Sequence, residues 1–177
     1  MIIKSLTTSL LCCSILILSS LSHATTVLMH TGYGDIEVEL FDQSTPIAVG
    51  NFLEYVQANQ YNGTIVHRSI SDFILQSGGF YTPTITNNQL THSAIEKNTN
   101  VDNEPIYSNV RSTIAMAKLQ DSPDSATSDW YINLVDNSYN LDKQNGGFTV
   151  FGQVTEAGML IVDFIASIQT YNLGGAF

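Results

Sequence analysis

A mostly β fold, an antiparallel sheet closed into a barrel or sandwich with one helix near each end, is predicted by three features of the chain. Acidic and apolar residues alternate without a break along Asp35-Ile36-Glu37-Val38-Glu39-Leu40. Further short apolar stretches are separated by turn signals such as Asn62-Gly63 and Asn145-Gly146-Gly147. Two segments, one early and one late, space their apolar residues at helical intervals instead. No regular strand–helix alternation runs through the chain, which argues against a doubly wound sheet. Internal repeats and heptads are absent.

The first segment reads as an export signal. Lys4 is the only charge before the aliphatic run Leu10–Leu18, and Ser22-His23-Ala24 puts small residues at the first and third places of a cleavage site. Residues 1–24 are expected to be a signal peptide, since the run falls short of the roughly 20 residues of a spanning helix. Residues 25–177 then form one domain. Cleavage removes Lys4, Cys12 and Cys13, so a formal charge of −10 becomes −11 and the domain has no disulfide. Six Lys and Arg against 16 Asp and Glu exclude nucleic acid as a partner, because phosphate binding needs cations. The expected product is a periplasmic monomer (secreted if the host has one membrane), with no membrane insertion after cleavage.

In the mature chain, Val27 and Met29 alternate with Leu28 and His30 before the turn Gly32-Tyr33-Gly34, and Asp35–Leu40 follows as the second strand of a hairpin. Ser44-Thr45-Pro46 starts a helix, with Thr45 suited to cap, Pro46 to the first turn, and Val49, Phe52, Leu53 and Val56 at helical spacing. Thr64–Ser69 and Phe73–Ser77 read as strands after Asn62-Gly63. The polar segment Thr82–Pro105 reads as a long surface loop. Thr113–Ala117, Trp130–Leu134 and Phe148–Val154 are further strands, and Met159–Ile168 is a second amphipathic helix presenting Ile161, Phe164, Ile165 and Ile168.

Familiar catalytic spacings are missing: no Gly-x-Ser-x-Gly, no His-Glu-x-x-His and no phosphate loop. His30, His67 and His92 are too scattered to form a metal-ligand pattern, and Glu37 and Glu39 lie on a solvated strand face. Exposed aromatics such as Tyr81, Tyr107 and Tyr139 are the sole support for a carbohydrate-binding reading. The informative stretch is Val66-His67-Arg68-Ser69-Ile70-Ser71-Asp72-Phe73-Ile74-Leu75-Gln76-Ser77-Gly78-Gly79, which gathers Arg68, Phe73 and Gln76 in a protein with only two arginines.

That stretch resembles the cyclophilin family of peptidyl-prolyl isomerases, whose hallmark reads Phe-His-Arg-x-Ile-x-x-Phe-x-x-Gln-x-Gly. Three further blocks resemble the family in order: Ile114-Ala115-Met116-Ala117, then Ser125–Asn133, then Asn140–Gly152. The likeness runs from about Val27 to the C-terminus and is nearest to exported bacterial members. It implies a closed eight-stranded barrel capped by two helices, with a shallow apolar groove for a proline ring. It also implies catalysis without metal, cofactor or covalent intermediate. By position, Arg68 would be the catalytic cation, Gln76 would hold a substrate carbonyl, and Phe73, Ile74, Tyr131, Leu141 and Phe148 would line the proline pocket. Ala117 and the backbone of Lys118 would form the wall that aligns the peptide. The implied partners are proline-containing unfolded or partly folded polypeptides.

Two departures from the family pattern carry expectations. Asp129-Trp130-Tyr131 stands where Gln-Phe-Phe is usual. A Tyr131 hydroxyl at the pocket floor needs a partner. Asp129, expected beside the bound peptide, would compete for Arg68 and weaken turnover. The segment from Tyr171 to Phe177 is also short of a final barrel strand. These departures keep open an alternative, a proline-peptide-binding module or chaperone with weak turnover.

Overall fold

The computed structural model describes residues 24–86 and 89–171. Its strands are β1 (Thr26–Thr31), β2 (Gly34–Leu40), β3 (Arg68–Ile70), β4 (Ile74–Ser77), β5 (Thr84–Thr86), β6 (Gln89–Thr91), β7 (Thr113–Met116), β8 (Trp130–Asn133) and β9 (Val150–Val154). The helices are α1 (Pro46–Gln57), α2 (Ser138–Leu141) and α3 (Glu156–Ser167), with a single 3-10 turn at Gln144–Gly146. Seven strands form one antiparallel sheet in the order β1-β2-β9-β7-β8-β4-β3, and β5 and β6 pair separately.

The expected closed eight-stranded barrel is therefore corrected to a curled, open sheet of seven strands. Closure requires the two edge strands to hydrogen-bond, and here β1 and β3 end the order at opposite sides. Most of the stretch Thr64–Ser69 does not join the sheet; it leaves only three-residue β3 and an isolated bridge from Thr64 to Tyr81. The polar segment after Thr82 is also more ordered than a loop. It holds β5, β6 and a bridge from Val101 to Ala126, and it buries Ile95. The two expected helices are joined by α2. The signal-peptide reading, residues 1–24, lies outside the described residues except at Ala24, and the reading of a missing final strand, over Tyr171 to Phe177, lies outside them except at Tyr171.

The helix ends show how side chains complete a backbone. Pro46 occupies the first turn of α1, where its missing N–H costs nothing. Thr45 does not cap as expected; its hydroxyl points back to the Phe41 carbonyl, and the Glu104 carboxylate instead accepts from the N–H groups of Ile47 (3.3 Å) and Ala48 (2.9 Å). In α3 the Thr155 hydroxyl accepts from Gly158 N–H at 3.2 Å. The buried face of α3 centres on Gly158, Met159 and Val162. Phe164, expected inside, is exposed and packs against the Tyr33 ring at 5.3 Å. Gly34 is required beneath α3: its φ is +134° and a Cβ there would meet Ile161 at 2.8 Å.

Strand periodicity then divides the apolar residues between the two faces of the sheet. One face joins α1 and α3 in the main core, which includes Val38, Leu40, Phe52, Leu75, Ile114, Met116, Ile132, Phe151 and Val162. The alternating positions Ile74, Ala115, Tyr131 and Val150, with Leu141 from α2, form a second, smaller cluster. A bulge opposite Ile114 and Ala115 inserts Phe151 into β9, so that Val150 joins the small cluster and Phe151 the main one.

Candidate active site

The small cluster is the floor of the site, and the predicted residues converge on it. Ile74, Tyr131 and Leu141 are buried within it, while Phe73, Ala117 and Phe148 pack against it half-buried. Phe148 stands nearly edge-on to Tyr131, with ring centroids 6.0 Å apart. Ala115, Val150 and Phe41 complete the surround. They were missed as site residues because single apolar positions carry no chemical signature. Ala115 and Val150 were legible as strand residues, but which face they served was not.

Arg68 and Gln76 lie at the edge of this apolar surface. They are paired across β3 and β4 in the antiparallel register, which places their side chains together. Arg68 donates from Nη1 to the Gln76 side-chain oxygen at 3.2 Å, and its guanidinium carbon lies 6.0 Å from the Phe73 ring centre. Arg68 is exposed, and among the described residues no carboxylate forms an ion pair with it. A cation with one neutral partner keeps donors available for another acceptor.

The Tyr131 hydroxyl has the partner it needs. It donates to Asn109 Oδ1 at 2.7 Å, and burial, with Asp142 adding to it, pushes its pKa well above the usual tyrosine value. Asn109 also donates from Nδ2 to Asp142 Oδ1 (3.0 Å) and to the Phe148 carbonyl (3.1 Å). Sequence reasoning did not name Asn109. The only signal for it was the buried hydroxyl, which implied an acceptor somewhere in the chain.

Lys118 contributes more than backbone. Its ammonium donates to the carbonyls of Asn145 (2.8 Å) and Gly147 (2.5 Å) and lies 4.7 Å from the centre of the Phe148 ring. Burial holds its pKa below the ordinary lysine value, partly offset by Asp124. Ala117 is held to β8 by its N–H, which donates to the Asp129 carbonyl at 2.9 Å. A separate polar groove of about 630 Å³, lined by residues including Ile47, Glu54, Lys97 and Val101, contains none of the predicted site residues.

Comparison with known proteins agrees with this geometry. Residues 26–174 match the family model described as cyclophilin type peptidyl-prolyl cis-trans isomerase. The chain belongs to the cyclophilin family. It is 42% identical over 151 residues to a peptidyl-prolyl cis-trans isomerase of Acinetobacter baylyi, covering 85% of this chain and 76% of that protein. It is 38% identical over 152 residues to peptidyl-prolyl cis-trans isomerase B of Escherichia coli, covering 84% and 88%. Its fold matches a crystal structure of a cyclophilin type isomerase from Cryptosporidium parvum, with a TM-score of 0.67 over 85% of this chain and 88% of that one, at 23% identity.

Within this cyclophilin, Asp129 sits apart from the Arg68–Gln76 pair. Its carboxylate lies 3.4 Å from Lys97 Nζ and 3.7 Å from His67 Nε2, and among the described residues no ion pair joins it to Arg68. Gly79 makes room for it, because a Cβ there would stand 2.5 Å from Asp129 Oδ1. Sequence position suggested competition for Arg68; the spatial partners of Asp129 are a lysine 32 positions earlier in the chain and the histidine beside Arg68.

Proposed function

We propose that this cyclophilin-type isomerase accelerates rotation about the peptide bond preceding proline in exported polypeptides, with Arg68 as the donor that stabilises the twisted state. The observation that carries this reading is Arg68 itself, exposed at the rim of an apolar cluster with one neutral hydrogen-bond partner. Rotation about a peptide bond costs about 18–20 kcal/mol because the nitrogen lone pair is delocalised into the carbonyl. In the twisted state the prolyl nitrogen becomes pyramidal and recovers that lone pair. A donor placed there binds the twisted state better than the planar substrate. Arginine stays protonated at any relevant pH, and its planar fork supplies one N–H to Gln76 while others face the substrate.

Gln76 has two tasks in this scheme. Its side-chain oxygen accepts from Arg68, and its NH2 group is left to hold a substrate carbonyl. Phe73, Ile74, Tyr131, Leu141 and Phe148 take the proline ring, and removing water from the amide weakens the solvation of its polar planar form. Ala117 and the Lys118 backbone align the flanking peptide, with Asp129 at the far end of that wall. A ten-thousand-fold acceleration needs about 5.5 kcal/mol, within reach of positioned donors and desolvation. The export role draws on the leader-like pattern of Lys4, Leu10–Leu18 and Ser22-His23-Ala24. It points to folding assistance in the periplasm or outside the cell.

Magnetisation-exchange NMR on an Ala-Pro peptide tests the proposal, with residues 25–177 and an Arg68→Ala control. Accelerated exchange that the control loses is the expected result. Peptide binding without acceleration by a cooperatively folded domain would replace the isomerase with a proline-peptide-binding module.

A further inference from the structure

We infer that Asn109 is the positioning residue of the proline pocket, holding Tyr131, Phe148 and the segment after α2 in one arrangement; this rests on the isomerase reading above. Asn109 is fully buried, and every hydrogen-bonding group it owns is used. Its side-chain oxygen accepts from the Tyr131 hydroxyl at 2.7 Å and from Asn133 Nδ2 at 3.3 Å. The two N–H bonds of its Nδ2 go to Asp142 Oδ1 at 3.0 Å and to the Phe148 carbonyl at 3.1 Å. Its backbone N–H donates to the same Asp142 oxygen at 2.8 Å, and its carbonyl accepts from Asn137 N–H at 2.8 Å. Asn137 in turn donates from Nδ2 to the Phe73 carbonyl at 2.9 Å. Four walls of the pocket, at residues 73, 131, 141–142 and 148, thus meet within two hydrogen bonds of one residue, through its side-chain amide and its backbone together.

The chemistry needs asparagine here. An aspartate would lack both side-chain donors and bring a second carboxylate against Asp142. A serine is too short to reach Asp142 and Phe148 together, and an alanine leaves the Tyr131 hydroxyl and the Phe148 carbonyl without these bonds. A buried hydroxyl that has lost its acceptor is costly and seeks another. From a ring at the floor of the pocket, that search brings the hydroxyl or a water into the space meant for the proline ring. Asn109 touches no substrate; it acts through Tyr131 and Phe148.

The test measures KM and kcat separately for Ala-Pro exchange, well below each variant's melting temperature. Asn109→Ala is expected to raise KM about tenfold, the equivalent of one hydrogen bond, while kcat changes less. Adding Tyr131→Phe to that variant removes the orphaned hydroxyl and is expected to recover most of the loss in KM. A folded Asn109→Ala variant with the KM of the unaltered chain, or a double variant with no recovery, overturns the inference. If Asn109→Ala does not fold, the unaltered chain decides it: the Asn109 side-chain amide signals should shift with the same saturation curve as Phe148 during Ala-Pro titration. Static Asn109 signals overturn the role. No acceleration by the unaltered chain overturns the isomerase reading itself and the positioning role with it.

Discussion

At one end of the site Arg68 stands exposed on a three-residue edge strand, tied by a single 3.2 Å bond to a neutral glutamine. At the other end Tyr131 lies buried on a central strand, its hydroxyl bonded to an asparagine whose own capacity is fully used. Under the proposed function the difference follows from what each end would do. A donor that meets charge only as the amide twists has to be left with unused hydrogens, so strong anionic partners would cost activity. A pocket that selects one ring shape has to resist collapse, and a satisfied polar network under an apolar floor provides that rigidity. The same sheet builds both by placing the cation at its edge and the floor near its middle.

The contrast can be broken from the largest effect to the smallest. Phe52→Ala removes a buried ring of the main core, which packs against Phe151 at 5.0 Å and belongs to neither end of the site. A loss of about 3–5 kcal/mol in a denaturant melt is expected. Arg68→Ala should do the reverse: kcat/KM falls about 10²–10³-fold, as for loss of one well-placed donor, and the melt barely moves because Arg68 is exposed. A large stability loss in that variant would contradict the picture of a weakly tethered cation.

The pH response sharpens the comparison on a smaller scale. Burial holds the His67 pKa below the ordinary histidine value, opposed by Asp129 and reinforced by Arg68 and Lys97. Since the folded pKa lies below the unfolded one, the unfolded chain binds the proton more readily. The histidine's contribution to stability is present above the unfolded value of about 6.5 and is lost as pH falls through the folded value. Melting temperature should therefore drop between pH 7 and 5 by less in His67→Gln than in the unaltered chain; equal drops would place the titrating group elsewhere. The smallest effect is expected from Asp129→Gln. With its largely buried carboxylate held 3.4 Å from Lys97 Nζ and 3.7 Å from His67 Nε2, and with no ion pair to Arg68 among the described residues, turnover should rise by no more than about twofold, because a carboxylate engaged by other partners beyond ion-pair distance acts only weakly on the guanidinium. A tenfold rise would show direct competition for Arg68.

Much of this molecule was legible before its structure. Strict alternation at Asp35–Leu40 became β2 with buried Ile36, Val38 and Leu40 and exposed carboxylates. Arg68, Phe73, Gln76 and the three later blocks carried the family, because the spacing Arg68 to Gln76 is what pairs those two across β3 and β4. Sheet closure was not legible, since it depends on where two edges meet and not on how many apolar runs exist. The orientation of α3 was also misread at Phe164, because helical periodicity marks an apolar stripe without saying which part of it the sheet covers.

What the sequence determined by itself was local: strand periodicity, helix starts, the charge balance, and the chemical types gathered in the Arg68–Gly79 stretch. These depend on residues a few positions apart, where backbone geometry alone sets the neighbours. Only the tertiary structure decided the partners across distance. Glu104 caps α1 from 57 and 56 positions beyond Ile47 and Ala48, Lys97 takes up Asp129, and Asn109 meets Tyr131 across 22. Such pairings are fixed by how the sheet curls and which face each strand presents. A buried polar group reveals in sequence that it needs a partner, but the fold determines which residue supplies it.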